Sequence, residues 1–161
     1  MARLMIVYHS RTGGARQMAE AAHEAAREEA ETILKPAEET GPEDLRAADG
    51  YLFCTPENLA ALSGAMKEFF DRCYYEVLGE IEGRSYALMI CAGSDGENAA
   101  RQAARIAQGW RLRPVQDPLI VCTHAQTREA ILAPKTIPEE DLARCRETGQ
   151  ALAAGLAMGM F

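Results

Sequence analysis

Short runs that are apolar on both faces alternate along this chain with stretches of helical period, and that alternation limits the fold more than any other feature. The runs are Leu4 to Tyr8, Thr32 to Leu34, Tyr51 to Cys54, Tyr86 to Cys91 and Leu119 to Cys122. Each is too short for a helix and too uniformly apolar for a half-exposed strand. Between them, apolar residues recur at three- and four-residue intervals. Ala15, Met18, Ala19, Ala22 and Ala26 form one such face, Leu62, Ala65, Met66, Phe69, Phe70 and Cys73 a second, and Ala99, Ala100, Ala103, Ala107 and Trp110 a third. Pro138, followed by Glu139, Glu140 and Asp141, opens a last helix. Its inner face carries Leu142, Cys145, Gly149, Leu152 and Leu156. Strands apolar on both faces and separated by helices form a parallel sheet covered on both sides. Five strands and four helices, with no repeat, low-complexity tract or linker, predict a single α/β domain over residues 1–161.

Composition narrows the function classes. Of the 161 residues 48% are hydrophobic and 25% charged, which suits a folded domain with a continuous core. The net charge of −7 argues against nucleic acid and anionic membranes as partners. No apolar run approaches the roughly 20 residues that cross a bilayer. Met1-Ala2-Arg3 leads straight into a strand, so no signal peptide is expected and the cytoplasm is the expected location. The five cysteines, Cys54, Cys73, Cys91, Cys122 and Cys145, lie in apolar surroundings without a Cys-x-x-Cys pair. They are read as buried small hydrophobes in a reducing compartment, with Cys54 and Cys91 at strand ends. His9, His23 and His124 have no metal-ligand spacing, no metal is expected, and no catalytic acid, base or nucleophile stands out.

The chemistry concentrates where the first strand breaks. Ser10-Arg11-Thr12-Gly13-Gly14-Ala15-Arg16 passes from hydroxyls and glycines into a helix. Backbone N–H groups and the positive helix N-terminus attract an anion there, and Ser10 and Thr12 add hydroxyl donors. No Gly-Lys-Ser/Thr follows, and the glycines are adjacent rather than spaced for a dinucleotide. In an open parallel sheet a ligand binds beyond the carboxyl ends of the strands, where strand order reverses. Residues 10–16, Thr55 to Leu62 and Ala92 to Asn98 are therefore expected around one pocket.

These three segments resemble the flavodoxin-like family, and in particular its FMN-binding NAD(P)H:quinone and FMN reductases. Ser10-Arg11-Thr12-Gly13-Gly14-Ala15 is similar to the family's phosphate loop. Thr55 to Arg72 looks like its proline-containing loop followed by a small-residue, Met-Lys, aromatic, Asp pattern. Cys91-Ala92-Gly93-Ser94-Asp95-Gly96 sits where the family places a loop along the flavin. The resemblance, from Leu4 to Leu156, implies a three-layer α/β/α fold with a five-stranded parallel sheet of order 2-1-3-4-5, binding FMN non-covalently. It implies that Ser10, Arg11, Thr12, Gly13, Gly14 and Ala15 hold the phosphate. Thr55, Pro56, Glu57, Asn58 and Leu59, with Ala92, Gly93, Ser94 and Gly96, would sandwich the ring. Two departures stand out: Ala15 replaces a hydroxyl residue, and neither ring loop has an aromatic, which leaves Leu59 to cover one face. Arg11 and Arg16 are open to phosphate pairing or to solvation, and Glu57 to the ring edge or to solvent. His9 is expected to pack or to bond backbone, and Lys67 and Asp71 to orient the loop or face solvent.

The activity so implied is NAD(P)H-dependent reduction of a quinone or other small acceptor. The alternatives are an electron carrier docking to a redox protein, and a non-catalytic binding module. A homo-oligomer is compatible, with Tyr74, Tyr75 and the Ala125 to Lys135 loop as interface material.

Overall fold

The structure is a computed structural model that describes residues 1–161. Alternation of side chains along each strand divides the core in two. In the first strand, β1 (Arg3–Tyr8), Leu4 and Ile6 point to one side of the sheet and Met5 and Val7 to the other. All four are buried, because both sides are covered. Under Leu4 and Ile6 lie α1 (Gly14–Ala26) and α6 (Glu139–Ala157). Their facing surfaces are mostly small residues, which lets the two helices approach closely.

The second side is aromatic. It belongs to α2 (Pro42–Ala47), α3 (Gly64–Val77) and α4 (Glu97–Gly109). Phe53, Phe69, Phe70 and Trp110 meet there with ring centroids 5.0 to 6.3 Å apart. Trp110, at the far end of α4, is therefore a core residue.

β1 lies between β2 (Glu31–Pro36) and β3 (Gly50–Asn58), and β3 pairs with β5 (Ser85–Ala92), all parallel. The fifth position is shared by two pieces. β6 (Arg113–Pro114) pairs with the start of β5, and β7 (Leu119–Cys122) with its end. Pro114 and Pro118 flank the interruption, and proline cannot donate to a ladder. The expected order 2-1-3-4-5 thus holds for the principal strands, with the last one divided.

Three local features differ from expectation. The acidic segment after Pro36 is not a plain connection but contains α2, whose first residue is Pro42 and whose amide Gly41 N donates to Asp44 Oδ2 at 2.9 Å. A short helix, α5 (Arg128–Leu132), stands in the loop before α6, with Thr127 Oγ1 accepting from Ala130 N at its start. Leu62 belongs not to α3 but to a short antiparallel strand, β4 (Ala61–Leu62), folded back on the end of β3. Four cysteines are buried as expected; Cys122 is half-buried.

Candidate functional site: a cleft at the carboxyl ends of the strands

The loop after β1 is shaped by Gly13, whose φ of +95° places it in the left-handed region. That turn brings Gly13 N to within 3.0 Å of Ser10 Oγ, which accepts its hydrogen bond. It also starts α1 without a side-chain cap. Gln17 N is the first amide of α1 bonded within the helix, to Gly13 O at 3.1 Å. The N–H groups of Gly14, Ala15 and Arg16 have no protein acceptor and are the orphan donors of a helix start. Gly14 is pressed close to its neighbours, since a Cβ there would lie 2.6 Å from Cys91 Sγ. Unpaired amides, two hydroxyls and a close backbone suit a phosphate monoester. Arg11 is exposed; Arg16, also exposed, pairs with Glu20 at 2.9 Å.

The second loop is a hairpin. Glu57 pairs with Leu62 and Asn58 with Ala61, leaving Leu59 and Ala60 as a two-residue turn. Both have positive φ, 53° and 63°, as a type I′ turn requires. Leu59 is fully exposed, so it packs on nothing in the chain. Asparagine followed by glycine adopts this turn with far less strain. Leu59→Asn with Ala60→Gly is therefore expected to raise stability by about 1 kcal/mol in urea denaturation. An unchanged or lowered midpoint would mean the tip is not strained.

Three hydrogen bonds fasten the hairpin to α4 and the loop before it. Glu57 Oε2 accepts from Gly96 N at 2.7 Å, Ala60 O from Asn98 Nδ2 at 2.5 Å, and Gln102 Oε1 from Leu62 N at 2.9 Å. The Glu57 carboxylate thus sits at the N-terminus of α4, where the helix field favours negative charge. Gly96 precedes that helix with φ of +86°. Ser94 and Asp95 are exposed beside it, and Gly93 O accepts from His124 N at 2.7 Å.

Beneath both loops runs a chain of hydroxyls. His9 Nδ1 lies 2.8 Å from Ser63 Oγ, and Ser63 Oγ 3.2 Å from Thr55 Oγ1. Ser63 also caps α3 by accepting from Met66 N. His9 thus bonds a side chain, in addition to its backbone N–H bond to Cys54 O. Thr55 is buried, with its hydroxyl bonded to Ser63 and to Pro56 O. Lys67 and Asp71 pair with each other on the exposed face of α3.

Burial, above all, pushes the thiol of Cys91 up to about 11, with the Lys135 charge opposing it. Burial likewise raises Cys54 and Cys122. These thiols stay protonated at neutral pH, so the cleft holds no thiolate nucleophile.

Residues 10–15, 55–59 and 92–96 thus lie at the carboxyl ends of β1, β3 and β5, at the same end of the parallel sheet. Asn98 ends the expected Ala92 to Asn98 segment, whereas sequence reasoning missed Ser63, Gln102, Gln17 and Lys135, which also hold the loops in place. Only Ser63 carried a local signal, as a serine directly before a helical pattern. A shallow cavity of about 230 Å³ borders the first loop at Ser10, Arg11, Gly13 and Arg16. A larger one of about 600 Å³, near Asp49, Arg84 and Phe161, lies at the opposite end of the sheet.

Comparison with known proteins agrees with this geometry. Residues 38–127 match the family model described as NADPH-dependent FMN reductase. A flavodoxin of Aquifex aeolicus is 30% identical over 165 aligned positions, covering 98% of this chain and 89% of that protein. An NAD(P)H dehydrogenase (quinone) of Acidithiobacillus ferrooxidans is 34% identical over 94 residues, 45% of this chain and 47% of that protein. Among solved structures, a flavodoxin from the domain Archaea superposes with a TM-score of 0.78 at 16% identity, covering 96% of this chain and 98% of its own. The chain belongs to the flavodoxin-like NADPH-dependent FMN reductase family, whose cofactor is FMN.

Proposed function

We propose that this protein is an FMN-dependent oxidoreductase that oxidises NAD(P)H and reduces a quinone or another small acceptor. One observation carries the choice of enzyme over electron carrier: the ring loops bear no aromatic side chain, and Leu59 projects fully into solvent. Hydride transfer needs a planar donor within about 3–3.5 Å of the reacting face. Loops that leave a face open admit such a donor. FMN, when bound, supplies the two-electron chemistry. Ser10, Thr12 and the amides of Gly14, Ala15 and Arg16 hold its phosphate. The Pro56 to Leu59 and Ala92 to Gly96 backbones flank the ring, and the Glu57 tie to Gly96 fixes their separation. Exposed Tyr74 and Tyr75, with Ile131 and Leu132 of the Ala125 to Lys135 loop, would supply the apolar surface on which a second copy docks. Five unpaired cysteines suit a reducing compartment such as the cytoplasm.

The test is an FMN titration followed by NADPH and NADH oxidation with a soluble quinone. Flavin fluorescence should change at micromolar protein, and NAD(P)H should be consumed only with both FMN and quinone present. Binding without NAD(P)H oxidation would favour the electron carrier, to which the −7 charge also lends itself. No fluorescence change would defeat both readings.

A further inference from the structure

One cation reaches the phosphate loop from a distant part of the chain. Lys135, in the connection between α5 and α6, is half-buried against Thr12. Its backbone N donates to Thr12 O at 2.8 Å, and its Nζ donates to Thr12 Oγ1 at 3.3 Å. The other Nζ bonds go to Ile131 O at 2.9 Å and Ala133 O at 2.6 Å. Gln17 fastens the same segment to α1: Nε2 donates to Lys135 O at 2.7 Å and to Gly13 O at 2.9 Å, while Oε1 accepts from Ile137 N at 3.0 Å. Lys135 Cβ lies 3.6 Å from where a Cβ on Gly14 would stand. The charge is therefore fixed beside the two residues at the centre of the loop, whereas Arg11 and Arg16 are exposed at the rim of the cavity, Arg16 already paired with Glu20.

Two consequences follow from ammonium chemistry. Lysine has three donors and no acceptor. Thr12 Oγ1 must therefore accept from Lys135, which directs its own O–H outward as a donor. The helix start supplies roughly half a positive charge. A phosphate monoester carries about −1.5 to −2 at pH 7, which the helix alone leaves uncompensated.

We propose that Lys135 is the counter-cation of the FMN phosphate, setting Thr12 as a phosphate donor and making the site select FMN over riboflavin. This rests on the reading of residues 10–15 as the phosphate anchor. The test measures dissociation constants of FMN and riboflavin by fluorescence for wild type, Lys135→Met and Lys135→Arg, at low and high salt. Lys135→Met should weaken FMN about 10- to 100-fold, the value of one charge-assisted hydrogen bond. Riboflavin binding should stay within about twofold, and the salt dependence of FMN binding should shrink. Lys135→Arg should retain most of the preference for FMN.

If Lys135→Met weakens both flavins equally, the residue merely holds the strap in place and the proposal fails. If it leaves the preference for FMN unchanged, the proposal also fails. Wild type that binds riboflavin as tightly as FMN would instead overturn the phosphate-anchor reading, and wild type that binds neither would overturn the flavin site.

Discussion

Gly149→Ala is expected to lower stability by about 3 kcal/mol, at the upper end of the range for overpacking a core. The cause lies in the approach of α6 to α1. A Cβ at Gly149 would lie 2.3 Å from Ala22 O, 2.8 Å from Ala22 C and 2.9 Å from its Cα. All three are backbone atoms of a helix, so no rotamer change relieves the clash. The helices must separate, and Met18, Ala19, Ala22, Cys145 and Leu152, all fully buried, would lose contact together. For a chain of this size the melting temperature should fall by about 6–12 °C. Gly109→Ala supplies the contrast: nothing lies within 4 Å of a Cβ there, so it should be neutral or stabilising. A Gly149→Ala protein within about 0.5 kcal/mol of wild type would show that the helices are not held this close. Because α1 also carries the proposed phosphate loop, the same substitution should weaken FMN binding.

That contact was invisible in the sequence, where Gly149 read only as one more position on an inner face. The sheet was legible because burial on both faces writes itself locally, as an unbroken apolar run in each of β1, β3 and β5. The loop after β1 was legible for a similar reason: its glycines and hydroxyls, and the amides proposed to hold the phosphate, lie within seven consecutive residues. The β3–β4 hairpin was not. Its turn residues, Leu59 and Ala60, lack the asparagine or glycine that marks a type I′ turn, and tertiary bonds from Asn98 and Glu57 hold it instead. α2 did carry a signal, Pro42 ahead of Glu43 and Asp44, obscured by an acidic composition that resembles a loop. Lys135 and Gln17 act across 118 to 123 residues, a separation at which periodicity carries no information.

The proposed FMN site should respond most sharply to Gly14→Ala, and the response should depend on Cys91. The added methyl would lie 2.6 Å from Cys91 Sγ, and 3.6 Å from both Ile137 Cδ1 and Lys135 Cβ. Cys91 is buried at the end of β5, so its sulfur has little room to turn away. The loop must lift instead, carrying the amides of Gly14 and Ala15 off the phosphate. Losing charge-assisted bonds of this kind weakens FMN about 10- to 100-fold. Cys91→Ala alone removes one buried sulfur atom and should leave FMN binding nearly unchanged. The double variant Gly14→Ala/Cys91→Ala exchanges one methyl-sized volume for another. It should recover most of the lost affinity, with a coupling energy of about 1–3 kcal/mol. A double variant as weak as Gly14→Ala alone would place the obstruction elsewhere, against Ile137 and Lys135. Recovery would show that a buried thiol, protonated and chemically silent, sets the height at which the phosphate loop sits.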